Sequence, residues 1–369
     1  MSLHTRPSAP WRYPPAHDRP LPRARAVLTR REHNALRVAV ERSRLAPSVH
    51  NTQPWQLRLH PDRLELDLDH SRQLLATDPQ GRELVMSAGA ALLNARVGMA
   101  AVSRACSVTR SPDPARPDLA AVVRPVPGVA DPELAALDPV VSLRRSNRTE
   151  FAGAPPPAVT DRLGTVARTE GAHLVRLSGP QERLLARVTA AAPAVQDCDE
   201  GYRRELQDWT ARPARDRDGV HVQPTWTSRS GTGAVPLREF SSRAFVDPSA
   251  TASSSESESL LVLATEGDGP LDWLRTGEAL ERVLLEVVRL GWQAGLITQP
   301  VEVPATRLEL ARFLPAGLVA QAVLRVGRGE PPSGTAPRRR TEDVLQDLTA
   351  FPRGPGEEIA GPIPPSDAT

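Results

Sequence analysis

Arg144-Arg145-Ser146-Asn147-Arg148-Thr149-Glu150-Phe151 is the stretch on which the reading turns. Arg144 and Arg148 stand four apart, so a helical reading puts them on one face, and Ser146 adds a hydroxyl donor beside them. Guanidinium forks and a hydroxyl suit a phosphate, to which arginine donates paired, charge-assisted bonds. Alone, such a run is more often a solvated helix face. Nearly a hundred residues upstream lies a second polar stretch, Ala46-Pro47-Ser48-Val49-His50-Asn51-Thr52-Gln53-Pro54-Trp55, fixed by two prolines and closed by a tryptophan. A rigid loop of amides and hydroxyls is a natural partner for a donor-rich motif elsewhere in the chain.

Composition narrows what such a pair can serve. The 369 residues are 40% hydrophobic, enough for one large domain or two. No apolar run approaches the ~20 residues of a membrane span, and Leu84 to Val102, broken by Asn94 and Arg96, reads as a buried helix. Residues 1–26 are rich in Pro and Arg without an apolar segment, so the expectation is a cytoplasmic protein that meets no membrane. Cys106 and Cys198 make no disulfide framework, and the eight histidines form no ligand cluster, so no metal is expected. Net charge is only +2, acids alternate with the arginines, and aromatics are 4%, which argues against nucleic acid as partner. All 46 basic residues are arginine. Positive charge at any site is therefore permanent and unavailable for proton donation near neutral pH.

Periodicity gives the organisation. Apolar spacing predicts a helix from Leu28 to Leu45, then a hairpin from two alternating runs, Trp55-Gln-Leu-Arg-Leu and Leu64-Glu-Leu-Asp-Leu. A long helix is expected over 82–104, with Gly89 and Gly98 permitting close packing, and a strand over 120–123. After a Pro-rich connection come a strand over 174–177, helices over 181–192 and 200–211, a strand over 260–264, helices over 276–291 and 305–314, and a strand over 319–326. Loose segments are expected at 1–26, 212–240, 253–259 and beyond 354.

The two polar motifs together resemble the paired flavin-binding signatures of the nitroreductase superfamily, in which an Arg-x-Ser-x-Arg/Lys motif opens each subunit of a homodimer and a Pro-Ser-x-x-Asn-x-Gln-Pro-Trp loop follows. Here the loop stands in the first half and the arginine motif in the second. That order resembles the Acg-type branch, as do Arg325-Val-Gly-Arg-Gly-Glu330 and Pro337-Arg338-Arg339-Arg340. The resemblance implies an α+β nitroreductase-like fold whose two related halves, 27–139 and 140–350, mimic the homodimer in one monomeric chain, flanked by tails at 1–26 and 351–369. It implies one FMN, with Arg144, Ser146, Arg338 and Arg340 on the phosphate and Arg148 at the flavin pyrimidine. Pro47 and Ser48 would pack the ring, Asn51 and Gln53 would brace the loop, and Arg203 or Arg204 would add a second pyrimidine contact. NAD(P)H and a nitroaromatic or quinone acceptor are the implied partners. The alternative it leaves open is flavin sequestration, with 212–240 as a lid.

Overall fold

Two helices of twenty residues each, Arg82–Ala101 and Pro270–Arg289, cross at the centre of the protein. The crossing is set by glycine. Gly89 is the eighth residue of the first helix and Gly277 the eighth of the second; a methyl group on Gly89 would strike the carbonyl of Leu274, and one on Gly277 that of Met86. Leu274 and Met86 are each the fifth residue of their helix, so the contact is reciprocal, the pattern of a two-fold interface.

The computed structural model describes residues 28–213, 215–220, 257–332 and 336–349. The first part of the chain runs α1 (Arg30–Ser43), β1 (Trp55–Leu59), β2 (Leu64–Leu68), α2 (Arg82–Ala101), β3 (Cys106–Arg110) and β4 (Leu119–Pro125). Two single turns, α3 (Pro132–Ala135) and α4 (Asp138–Val141), lead to α5 (Pro157–Thr169), β5 (His173–Arg176), α6 (Pro180–Gln196) and α7 (Glu200–Thr210). Then follow β6 (Ser259–Thr265), α8 (Pro270–Arg289), β7 (Gln293–Ile297), α9 (Gln299–Glu302), α10 (Pro304–Leu310), β8 (Val319–Gly327), α11 (Thr341–Val344) and β9 (Leu345–Asp347).

Local chemistry explains these elements. Thr29 and Glu32 form a reciprocal capping box at the start of α1 (3.2 and 2.8 Å). In the hairpin Trp55, Leu57 and Leu59 point into the core while Gln56 and Arg58 do not, with Trp55 opposite Leu68 and Leu57 opposite Leu66. The first sheet has the order β3-β4-β2-β1-β9 and the second β5-β6-β8-β7. Leaving β9 aside, β3, β4, β2 and β1 correspond in order to β7, β8, β6 and β5. One continuous core joins the layers, from Leu36, Trp55 and Leu92 to Leu263, Leu284 and Leu324.

Some elements depart from the expectations. The helix placed over 276–291 begins at Pro270, because proline fits the first turn of a helix. Besides the single-turn helices α3, α4, α9 and α11, four elements were not anticipated. Strand β3 is polar and half-buried throughout, β7 carries Gly295, α5 opens in a proline run, and β9 is three residues long. Strand β9 pairs in parallel with β1, so the end of the chain returns to the first sheet. Ser259, read as loose, is buried at the start of β6. Helix α2 is long and apolar enough to cross a membrane, yet it is enclosed by α1 and α8 and is almost wholly buried. The tails 1–26 and 351–369 and most of 253–259 lie outside the described residues.

Candidate functional site

The arginine motif is extended rather than helical. Its backbone lies along β7: Ser146 bridges Ala294 in parallel, and the Asn147 amide donates to the Ala294 carbonyl at 2.7 Å. Gly295 makes this possible, because a Cβ there would press on the Asn147 carbonyl and the Arg325 side chain. In extended chain, residues two apart share a side, so Arg144, Ser146 and Arg148 align by the strand period instead of the helical one. Asn147 locks the strand: its amide donates to the Glu330 carbonyl (2.9 Å) and its Oδ1 accepts from the Thr149 amide and hydroxyl (2.8 and 2.7 Å). Arg325 pins it from below, donating to the Thr149 carbonyl, pairing with Glu258 at 3.0 Å and stacking 4.3 Å over Phe151.

The upstream loop connects α1 to β1 through three residues with positive φ, His50, Asn51 and Gln53. Such backbone persists in non-glycine residues only when its surroundings hold it. Ser48 accepts from the Gln53 amide at 2.8 Å. The Asn51 side chain donates to the carbonyls of Gly219 (3.2 Å) and Pro337 (3.1 Å) and accepts from Arg338 (3.0 Å). The buried Gln53 donates to the Arg217 carbonyl (2.8 Å) and accepts from the Arg339 amide (2.8 Å). Pro47 and Ser48 are half-buried beside this network. The loop thus clasps two segments from far along the chain, 217–219 and 337–339.

Where the strand and the clasp meet, positive charge accumulates around one carboxyl. Arg144 is buried, and its Nε lies 3.4 Å from Glu281 Oε1 on α8 without making a hydrogen bond. Both Glu281 oxygens, the Arg338 Nε and the Asn94 amide are likewise buried and unbonded. Burial pushes the Glu281 carboxyl up to about 7, against the pull of Arg144, Asn94 and Arg338. Burial and the facing guanidiniums of Arg144 and Arg145 bring Arg338 down to about 9, Glu281 opposing and Arg44 adding to the push. Arg145 is lowered by burial and by Arg144. Arg144 and Arg338 thus face one half-neutral carboxyl, with Arg145 and Arg44 close to Arg338, and the buried Nε donors of Arg144 and Arg338 are ones an anion would satisfy.

Comparison with known proteins follows the same outline. A Mycobacterium tuberculosis H37Rv protein provisionally named an NAD(P)H nitroreductase is 35% identical over 315 residues, covering 82% of this chain and 88% of its own. The protein of the same strain named Acg, provisionally an NAD(P)H nitroreductase, is 30% identical over 319 residues, covering 85% of this chain and 95% of its own. The chain belongs to the Acg-type branch of the nitroreductase superfamily. No family model matches it. Among solved structures, the FMN- and NADPH-dependent nitroreductase NfnB of Sphigopyxis sp. strain HMH aligns with a TM-score of 0.36 at 19% identity, over 57% of this chain and 97% of its own.

Not every residue suggested by the resemblance to the superfamily reaches the cluster. Arg144, Arg338 and Asn51 do, with Ser146 and Arg148 two and four residues further along the same extended stretch, half-buried. Arg340 does not. It caps α11, its amide donating to Asp343, and its exposed guanidinium lies 3.6 Å from Glu342. Arg203 does not either: Tyr202 and Trp209 form the buried face of α7, and Arg203 projects from the exposed one. Its neighbour Arg204 pairs with Glu200 along the same exposed surface. Sequence reasoning missed Glu281, Arg44, Arg145 and Arg339. Glu281 carried one usable signal, a carboxylate among the buried positions of an amphipathic helix, where charge is rare without a purpose.

The expected lid is described only from Arg212 to Val220, apart from residue 214; 221–240, including Trp226, lies outside the described residues, as does His221. The described part folds back over the loop. Asp218 is buried between Arg72 and Arg212, Arg212 stacks 4.0 Å from the Trp209 ring, and the Val220 amide donates to the Trp209 carbonyl at 2.8 Å.

Proposed function

We propose that this chain binds one FMN and works as a nitroreductase-type oxidoreductase with NAD(P)H as donor and a nitroaromatic or quinone as acceptor. The observation that carries the proposal is the buried pair Arg144 and Arg338, unbonded at Nε, with Glu281 the one carboxyl facing them among the described residues. A phosphate dianion fits that donor set, and FMN, named in the structural neighbour NfnB, carries one. Arg144, Ser146 and Arg338 would hold the phosphate, the 47–53 loop would pack the ring, and Arg148 would keep a fixed positive charge beside it. FMN held there would supply two-electron, hydride-accepting redox chemistry. The arginines hold their protons throughout, so Glu281 is the group of this cluster that changes charge near neutral pH.

One flavin per chain, in a monomer built like a dimer, is the stoichiometry we infer. Support comes from the shared sheet order, the reciprocal Gly89–Gly277 crossing, and one asymmetry. Residues 44–54 separate α1 from β1, whereas only 170–172 separate α5 from β5. Beside that short connection Glu170 is buried against Arg96 and Arg282, and Glu278 of α8 against Arg96 and Arg110, an ion-pair cluster that supports a single flavin loop per chain. Purified protein should carry one FMN per chain, released by heat as FMN, and should oxidise NADPH or NADH with a quinone present. Colourless protein that takes up no FMN, or two FMN per chain, is the contrary result.

A second reading, flavin sequestration, is favoured by the clasp of Asn51 and Gln53 on the carbonyls of Gly219 and Arg217. It makes 212–240 a closed cover. Replacing that segment with a short Gly/Ser linker should raise NAD(P)H oxidation and speed FMN loss if it is a cover, and should abolish a brisk activity if it builds the substrate pocket.

A further inference from the structure

Beyond Arg145 and Arg338 the cluster opens into a cavity of about 600 Å³, lined by five arginines, Arg44, Arg145, Arg215, Arg217 and Arg338, and, among the described residues, by no carboxylate. Its remaining wall is largely apolar: Leu45, Val141, Ala336 and Pro337. Five like charges around one space repel each other, and a folded chain keeps such an arrangement where an anion offsets it. One phosphate dianion does not balance this set. Arg144 and Arg338 already face it from within, and the nearby carboxylates are Glu41, 3.3 Å from Arg44, and Asp216, 3.9 Å from Arg215. Arg145 is held in place by the carbonyls of Ser142 (2.9 Å) and Arg144 (2.8 Å), with its Nε buried and unbonded. Arg338, which faces Arg144, also lines this cavity.

We propose, resting on the FMN reading above, that Arg44, Arg145, Arg215, Arg217 and Arg338 form a second phosphate subsite at the mouth of the flavin-phosphate site, which takes the phosphorylated end of a nucleotide. The apolar wall is what selects a nucleoside over a bare anion: Leu45, Ala336 and Pro337 offer surface on which a ribose can pack, and a phosphate ion has no use for it. Arg215 and Arg217 come from the segment that the 47–53 loop clasps through the Arg217 carbonyl, so an occupied mouth also ties that segment down. NADPH, with its ribose phosphate, carries the matching chemistry, and NADH lacks that group.

The test uses FMN-loaded full-length protein titrated by calorimetry with adenosine 2′,5′-bisphosphate, adenosine 5′-monophosphate and pyrophosphate, flavin absorbance being followed in parallel. The bisphosphate should bind saturably at one site per chain, at least tenfold more tightly than pyrophosphate, with the flavin retained. The double variant Arg215→Gln/Arg217→Gln, altered only at exposed side chains, should weaken it at least tenfold and flatten its salt dependence while holding FMN as before. Pyrophosphate binding as tightly as the bisphosphate would leave only an anion site and overturn the nucleotide assignment. Absence of binding, an unchanged double variant, or binding only as FMN is displaced would overturn the subsite altogether. Protein that takes up no FMN at all fails the flavin reading instead, and that result is read from the absorbance alone.

Discussion

Glu281→Gln tests the heart of the site, because it removes a titration and leaves the shape. Glu281 is fully buried, and burial raises its carboxyl from the usual 4.5 to about 7. At about 1.4 kcal/mol per pH unit, that displacement is worth about 3 kcal/mol of differential stability. The folded state binds the proton more tightly than the unfolded one, so the contribution is complete below pH 4.5 and is lost as pH rises through 7. The glutamine stays neutral and loses nothing. In urea unfolding of the apoprotein followed by tryptophan fluorescence, variant and wild type should differ little at pH 5, and the variant should lead by about 3 kcal/mol near pH 8.5. Arg338, held down to about 9, sets the upper limit of the useful range. A phosphate bound beside Glu281 disfavours its ionisation further, so FMN binding takes up a proton. Phosphate itself is fully charged well above its own pKa of about 6, so wild-type FMN affinity should fall with pH above 7 while the variant's does not. A stability difference that stays constant from pH 5 to 8.5 would refute the burial argument.

Other expectations follow from the same geometry. Arg144→Ala should weaken FMN binding by about 2 kcal/mol or more and leave riboflavin, which has no phosphate, nearly unaffected; equal losses for both would remove Arg144 from the phosphate. Gly277→Ala places a methyl group against the Met86 carbonyl at the helix crossing and should lower unfolding free energy by about 3 kcal/mol, measured by denaturation at fixed pH. Arg203→Ala and Arg340→Gln alter exposed side chains and should leave FMN affinity within about twofold, whereas a large loss in either would show that the flavin reaches beyond the cluster described.

The hairpin and the two central helices were legible because each repeats a short-range rule. Trp55, Leu57 and Leu59 alternate, and the apolar residues of α8 return at helical spacing. Elements that obey no such rule went unread, among them β7, whose Gly295 answers to the Asn147 backbone rather than to its own neighbours, and β9, a strand only because β1 lies beside it. Arginine's use at the site was legible in part. The motif that carries Arg144, Ser146 and Arg148 is extended rather than helical, through the pairing of Ser146 and Asn147 with β7, a long-range hydrogen-bond pattern that no local spacing reveals.

By itself, then, the sequence determined the chemistry on offer: permanent positive charge from arginine alone, a rigid polar loop, and two motifs in the order that resembles the Acg-type branch. Tertiary structure decided which charges meet. Arg338 faces Arg144 while Arg340, two residues on, turns to Glu342, because α11 begins there and redirects the chain. It also decided that Glu281 is the titratable centre, since a carboxyl's pKa depends on the burial and charges around it, and those are supplied by residues scattered from Asn94 to Arg338.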